Sequence, residues 1–102
     1  MKPGMDRALS TLQSLLDADD ITSELYVRAH GDHLILACEV DEMDSGEPVL
    51  EDRIRLTRLS NTRWGLSVRR HTQRWEQTPF TGSMEEMVDT ICSFMQHLVV
   101  PY

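Results

Sequence analysis

The stretch from residue 49 to residue 77 constrains the fold most, because apolar and polar side chains alternate along much of it with a period of two. Successive side chains of a β-strand point to opposite faces of a sheet. A turn signal at residues 60–62 divides the stretch into two strands. The side chains predicted to point to one face of the sheet are apolar, namely Ile54, Leu56, Trp64, Leu66 and Val68. The pattern therefore predicts a hairpin with one apolar face and one face that bears arginine.

A second hairpin is predicted before this one. Residues 21–29 and residues 34–40 both alternate between apolar and polar side chains. The connection between them contains Gly31 followed by aspartate, and glycine supplies the positive φ that short hairpin turns require. We therefore predict a hairpin over residues 21–41, followed by an acidic, solvated loop over residues 41–48.

Each end of the chain shows the pattern of an amphipathic helix. From Met5 the apolar residues recur three and four positions apart until about Asp17, which predicts the first helix. Ser83 and Glu86 have the spacing of a capping box, in which each side chain bonds to the backbone N–H of the other residue. The apolar stripe that follows this cap reaches Leu98, so we predict one continuous helix up to that residue.

The predicted order of elements is helix, four or five antiparallel strands and helix, as one α-β-β-β-β-(β)-α domain over residues 1–102. Residues 71–73 can form a further turn, which leaves a short fifth strand at residues 74–77, although a bulge in the fourth strand fits nearly as well. We expect residues 78–82 to break the sheet. Because both helices are amphipathic, the simplest packing is an α+β two-layer sandwich, with two consecutive hairpins in the sheet and both helices on its apolar face.

Charge is unevenly distributed along the chain. The net charge is −7, but the segment from Glu39 to Asp52 contains seven acids and no base, whereas Arg53 to Arg74 contains seven arginines and no acid. These blocks can pair within the fold, with a partner subunit or with a third molecule. A net acidic chain is a poor general binder of DNA or RNA, because such binding depends on a basic surface that neutralises phosphate. A local basic face can still bind nucleic acid although the chain as a whole is acidic.

The two cysteines, Cys38 and Cys92, fall in apolar periodic segments. We therefore expect buried, reduced thiols rather than a disulfide. No secretory leader pattern is recognised at the start, and no apolar run approaches the ~18 residues of a membrane span. We expect a cytoplasmic protein.

One local cluster has the residue types of a metal site, namely His30-Gly31-Asp32-His33 at the first predicted turn. Closed zinc sites need four ligands and catalytic ones usually three, so a solvated turn accounts for the cluster better than a metal site does. Neither cysteine has the exposed, electropositive setting that a catalytic nucleophile needs. We expect no catalytic activity, no cofactor and no bound metal.

The arginine-bearing face of the predicted sheet is the candidate binding surface. Arginine beside an aromatic ring can hold single-stranded nucleic acid through phosphate contacts and base stacking. Arginine also recognises carboxylates through a planar, bidentate fork. A third interpretation is a solvated face whose arginines pair across strands with Glu24, Glu39 and Glu51. The candidate binding residues are Tyr26, Arg28, Arg53, Arg55, Arg63 and Arg69.

These observations favour a small, non-catalytic protein-binding or assembly module, chaperone-like or adaptor-like in character, that forms a homodimer and engages a protein partner. The alternative is an accessory single-stranded nucleic-acid-binding protein that uses the same arginine-bearing face. A small enzyme is a third hypothesis, and it requires a deep pocket with convergent polar groups. No membrane partner is expected.

Overall fold

The computed structural model describes residues 4–41, 46–69 and 74–99. In chain order these residues form α1 (Met5–Asp17), β1 (Tyr26–His30), β2 (His33–Asp41), β3 (Pro48–Arg58), β4 (Trp64–Arg69), β5 (Trp75–Gly82), α2 (Met84–Phe94) and α3 (Gln96–Val99). The strands make one antiparallel sheet in the order β1-β2-β3-β4-β5, so each strand lies beside its neighbour in sequence. The predicted α+β two-layer sandwich is confirmed, with five strands. None of the helices in these ranges has the length and apolar character that crossing a membrane requires.

The hydrophobic core lies between the sheet and the helices. On the sheet side Trp64, Leu66 and Val68 are at most 5% exposed, which confirms their predicted parity. Burying an apolar side chain of this size contributes roughly 1.5–3 kcal/mol. The helices contribute Met5, Leu12 and Leu16 from α1 and Met84, Met87, Val88 and Ile91 from α2. Both helices therefore cover the same face of the sheet.

The strand that was predicted to start at Ile21 begins at Tyr26, because the residues before it form turns. The Asp19 side chain accepts a hydrogen bond from the backbone N–H of Ile21 at 2.8 Å. The hydroxyl of Thr22, which is fully buried, donates to the carbonyl of Leu16 at 2.8 Å. Such local hydrogen bonds offer the backbone an alternative to strand pairing. They shorten β1 and complete the end of α1.

The capping box at the start of α2 is present as predicted. Ser83 Oγ accepts from the backbone N–H of Glu86, and Glu86 Oε1 accepts from the backbone N–H of Ser83, both at 3.2 Å. The end of the helix differs from the prediction. α2 stops at Phe94, Met95 adopts φ −122° and ψ 24°, and the chain continues as the short α3. The predicted continuous helix is therefore two helices, and Met95 stays in the core at the break with 7% exposure.

β5 runs through the residues that were predicted to break the sheet. The strand extends from Trp75 to Gly82 and includes Pro79. Proline is tolerated on edge strands and at bulges, where its missing N–H removes no ladder hydrogen bond. Both conditions are met, since β5 is an edge strand and its pairing with β4 contains a register shift. The predicted turn at residues 71–73 lies outside the described residues, as do residues 42–45 of the predicted acidic loop.

A bulge in β3 changes the side-chain parity at one position. The adjacent β2 residues Leu36 and Ala37 pair with Ile54 and Asp52, so Arg53 is an extra residue in the ladder. An extra residue interrupts the alternation of side chains between the two faces. Arg53 is accordingly 1% exposed, and the prediction that it points to solvent was wrong.

Candidate binding surface on the sheet

The sheet face that points away from the helices carries a row of side chains that crosses four strands. Arg28, Ile35, Arg55 and Ser67 are successive cross-strand partners on β1, β2, β3 and β4. Ile35 is 6% exposed although it does not belong to the core cluster, because the long arginine stems on either side cover it. We call this surface the arginine face, and it consists of Tyr26, Arg28, Ile35, Asp52, Arg55, Ser67, Arg69 and Trp75.

Asp52 pairs with two arginines on this face. Its Oδ1 accepts from Arg28 Nη1 at 2.7 Å and its Oδ2 accepts from Arg28 Nη2 at 2.8 Å, which makes a bidentate pair. Arg69 Nη1 lies 3.5 Å from the same Oδ2. The hydrogen bonds from Arg28 hold the pKa of Asp52 below its ordinary value and raise the pKa of Arg28. The carboxylate of Asp52 therefore lies between two guanidinium groups.

Arg55 lies over the indole ring of Trp75. Its Cζ atom is 4.9 Å from the ring centroid, which is the range of a cation–π interaction. β4 runs between these two strands, and its small, buried Ser67 leaves room for the side chains to meet above it. Within the described residues no carboxylate forms an ion pair with Arg55, and its buried Nε atom has no hydrogen-bond acceptor. The terminal Nη groups of Arg55 are therefore the donors that a partner can reach, since the Nε atom is buried.

One end of the arginine face adds a tyrosine and an exposed leucine. Tyr26 is 48% exposed, and its hydroxyl donates to Glu39 Oε2 at 2.8 Å. This hydrogen bond raises the pKa of Tyr26. Glu39 pairs across the sheet with Leu50, which is 53% exposed and lies on the same side. An apolar and aromatic area therefore adjoins the charged residues.

The arginine face gathers only part of the predicted candidate set. Arg28, Arg55 and Arg69 lie together with Tyr26, whereas two other candidates lie elsewhere. Arg63 is exposed and immediately precedes β4, at the opposite end of that strand from Arg69.

Arg53 lies on the helix-covered side of the sheet. Its Nε atom is 3.2 Å from Oε1 of Glu51, and Glu51 is the cross-strand partner of the core residue Cys38. Residues directly opposite each other in a ladder point to the same face, which places this ion pair beside the core. Arg53 therefore does not belong to the arginine face, and the bulge is the physical reason.

Trp75 belongs to this face although it was not among the predicted candidates. It is the cross-strand partner of Arg69 in the β4–β5 ladder, and this pairing sets the side to which its ring points. Trp75 stands among polar residues in the sequence, and the face to which it points depends on the geometry of the connection from β4. The sequence therefore allowed a strand at Trp75 to be predicted, but it did not indicate how that strand is aligned with β4.

The histidines and cysteines that could bind a metal or act as nucleophiles lie outside the arginine face. His33 Nδ1 lies 2.9 Å from Thr57 Oγ1. Across the described ranges, no group of three or more His, Cys, Asp or Glu side chains is arranged to hold a metal ion. Cys38 is buried and Cys92 half-buried, and both are free thiols whose pKa is raised by burial.

No protein-family model matches the sequence, and no match was found among curated proteins or solved structures. The chemistry of the arginine face is therefore the basis for a functional assignment. Its guanidinium groups can bind carboxylates or phosphates through charge-assisted hydrogen bonds, and its aromatic rings can contact a planar or apolar group.

Proposed function

We propose that this protein is a non-catalytic protein-binding module that docks an acidic segment of a partner protein on its arginine face. The observation that carries the proposal is the position of Arg55, which is held over Trp75 on the sheet surface without a carboxylate partner among the described residues. A guanidinium group fixed by a ring loses less side-chain freedom when it binds than a free one does.

The residue types of the face support a protein partner. Arginine, tryptophan and tyrosine are the residues most enriched at the energetic centres of protein interfaces. The bidentate pair between Arg28 and Asp52 has the geometry by which arginine recognises a carboxylate. An incoming aspartate or glutamate can engage the guanidinium group of Arg55 in the same manner.

Local charge supports an acidic segment in particular. The chain as a whole carries a net charge of −7, so attraction for an acidic partner is confined to the neighbourhood of the arginine face. Charges further apart than about 8 Å are largely screened at physiological ionic strength. The proposed interaction is therefore short-range and sensitive to salt.

The division of charge within the chain also supports a homodimer. Part of the acidic block that precedes Arg53 is paired within the chain, since Glu51 bonds to Arg53 and Asp52 to Arg28. Other acids of the block can face the arginines of a second copy, and isologous contacts of this kind generate two-fold dimers. Leu50 and Tyr26 supply exposed apolar area beside the arginines. Sedimentation velocity at micromolar concentration tests this part separately, since a strict monomer would refute the homodimer and leave the docking of another protein intact.

Free thiols support a cytoplasmic setting for this activity. Neither Cys38 nor Cys92 forms a disulfide, and disulfides form and persist mainly in oxidising compartments. We therefore assign the proposed protein-binding activity to the reducing environment of the cytoplasm.

The decisive experiment compares two labelled peptides that differ only in charge. One peptide contains several Asp and Glu residues, and the other has Asn and Gln at the same positions. We expect fluorescence anisotropy to show saturable binding of the acidic peptide, with an affinity that falls as salt is raised. Arg55→Gln should weaken binding about tenfold, equivalent to ~1.4 kcal/mol. Equal binding of both peptides, or none at low salt, would overturn the proposal.

The matched control is Arg63→Gln. Arg63 is also an exposed arginine beside β4, but it lies at the far end of the strand from Arg69. Its substitution removes one positive charge without touching the Arg55–Trp75 pair. We expect peptide affinity to stay within twofold of the wild-type value, and an equal loss in both variants would show that only bulk charge matters.

The second candidate function is binding of single-stranded nucleic acid. It is favoured by Trp75 and Tyr26, because aromatic rings beside arginine on a sheet can stack on bases while phosphates are neutralised. A labelled single-stranded oligonucleotide tests it under the same buffer conditions. Binding that is tighter than that of the acidic peptide would favour this function, and the absence of binding at low salt would eliminate it.

A further inference from the structure

A separate cleft lies on the helix side of the molecule. It is bordered by the first half of α1, the turn between β3 and β4, and the start of α2, and its volume is about 530 Å³. Small-molecule sites typically have volumes of about 300–1,000 Å³. None of the residues of the arginine face lines this cleft. The lining includes Arg7, Ala8, Arg58, Trp64, Met84 and Glu85.

Two guanidinium groups line the cleft from different elements. Arg7 comes from α1, and Arg58 comes from the end of β3. Arg58 Nη2 donates to Asn61 Oδ1 at 3.0 Å, which holds its guanidinium group at the cleft. Two positive side chains that converge on one cavity generate a local positive potential, and such focusing attracts anions into clefts.

Gly4 allows Arg58 to pack against the start of α1. A Cβ atom at this position would lie 3.0 Å from Arg58 Nη1, and Gly4 has a φ of +83° that side chains rarely adopt. The close approach places a guanidinium group beside the amino end of a helix, which itself carries partial positive charge. The position of the Arg58 guanidinium group at the cleft is therefore set by Gly4 as well as by Asn61.

The remaining lining is mixed in character. Trp64, Ala8 and Met84 are the apolar residues among its lining. Glu85 is the one acid among its lining residues, and its carboxylate opposes an anionic ligand. A ligand of suitable chemistry therefore combines one anionic group, which faces the arginines, with a small apolar body.

We propose that this cleft binds a small organic anion, in which a carboxylate or phosphate group is attached to an apolar ring or chain. The anionic group contacts Arg7 and Arg58, and the apolar part lies on the surface around Trp64. This binding site is independent of the protein-docking surface, since the two share no residue and lie on different sides of the sheet.

Isothermal titration calorimetry on the intact chain tests the proposal with two probes, phenyl phosphate and benzoate. Both carry the same phenyl ring and differ in the anionic group. We expect saturable binding of at least one probe to the wild-type protein, and the tighter of the two identifies the anionic group. Arg7→Gln should weaken that binding about tenfold, whereas Glu85→Gln should strengthen it, because removal of the opposing carboxylate favours an anion. Arg63→Gln, which removes an arginine outside the cleft, should leave the affinity unchanged.

Arg7 is the primary variant because it is exposed on α1, whereas Arg58 packs against Gly4 and its loss can disturb folding. Circular dichroism confirms that each variant is folded before titration. The proposal is overturned if neither probe binds saturably at millimolar concentration, or if folded Arg7→Gln binds as tightly as the wild type. Neither outcome bears on peptide docking at the arginine face.

Discussion

The Nε atom of Arg53 lies 3.2 Å from Oε1 of Glu51, two residues earlier in the same strand. The pair is asymmetric, since the Arg53 side chain is 1% exposed and the Glu51 side chain 39% exposed. A guanidinium group is thus held beside the core by a carboxylate that reaches water. Such a pair reduces the desolvation cost of the buried cation, which is otherwise several kcal/mol or more.

We expect Arg53→Ala to destabilise the protein by about 2–4 kcal/mol, because it removes a buried stem and leaves a cavity. Arg53→Met should cost less, since it keeps most of the stem volume and removes the buried charge. Urea denaturation measures both changes. Arg63→Ala is the matched control on an exposed arginine and should stay within about 0.5 kcal/mol of the wild type. Equal effects at the two positions would contradict the burial of Arg53.

The two tryptophans should differ in their contribution to stability. Trp64 is 5% exposed in the core, and Trp64→Ala should cost about 3–5 kcal/mol through loss of burial and creation of a cavity. Trp75 is half-buried under Arg55, and Trp75→Ala should cost about 1–2 kcal/mol. Thermal or chemical unfolding compares the two variants. The assignment of Trp64 to the core fails if Trp75→Ala is the more damaging substitution.

Loss of the α2 cap should lower the free energy of unfolding, and the effects of its two residues should be coupled. Ser83→Ala should reduce stability by about 1 kcal/mol, because it leaves a backbone N–H of the first turn without its side-chain acceptor. A double-mutant cycle with Glu86→Ala should show coupling, since each side chain bonds to the backbone of the other residue. Ser10→Ala, an exposed position within α1, should have little effect. Strict additivity of Ser83 and Glu86 would argue against a reciprocal cap.

The Arg28–Asp52 pair should contribute stability that disappears in acid. Its hydrogen bonds hold the pKa of Asp52 below the ordinary value, so the folded state binds this proton less readily than the unfolded state. The contribution is therefore complete above the unfolded-state pKa of about 3.9 and is lost as pH falls through the lower folded-state pKa.

Denaturation of the wild type and of Asp52→Asn at several pH values tests this expectation. The difference in unfolding free energy should be about 1 kcal/mol near pH 7, since the pair is bidentate but partly exposed. It should shrink below pH 4. A difference that grows as the solution becomes more acidic would have the wrong sign for a depressed carboxyl pKa.

The two thiols should react slowly with a thiol-specific disulfide reagent. Burial raises the pKa of both groups, and the reactive species is the thiolate. The reaction rate should therefore continue to rise at pH values where the rate of an ordinary exposed cysteine has already reached its plateau. Cys92, which is half-buried, should react before Cys38, which is 3% exposed. Cys92→Ser should remove the faster phase, and loss of the slower phase instead would reverse the assignment.

The layer architecture was predictable from the sequence because it depends on local periodicity. Helical spacing in α1, the capping box of α2 and the alternation at Trp64, Leu66 and Val68 each report which side of an element is apolar. Once those sides are known, two amphipathic helices and a one-faced sheet have few ways to bury their apolar surface together. The positions of Arg28, Arg55 and Tyr26 on the opposite face followed from the same alternation.

The remaining features depend on single residues or on register. One extra residue in β3 reverses the side of Arg53, and no composition signal marks such a bulge. The pairing of Trp75 with Arg69 depends on the connection from β4 to β5. Pro79 looks like a strand breaker in the sequence, but it is accommodated because β5 lies at the edge of the sheet.

The order of the strands has a consequence for synthesis on the ribosome. Each strand pairs with the one made just before it, so the sheet can extend progressively as the chain emerges, with few distant partners to find. α2 packs on β4 and β5 and is made after both. Until α2 has formed, the apolar side of those strands lacks part of its cover and is open to neighbouring nascent chains. A capping box that favours the formation of α2 at Ser83 therefore helps to shorten the interval in which newly made copies are most prone to aggregate.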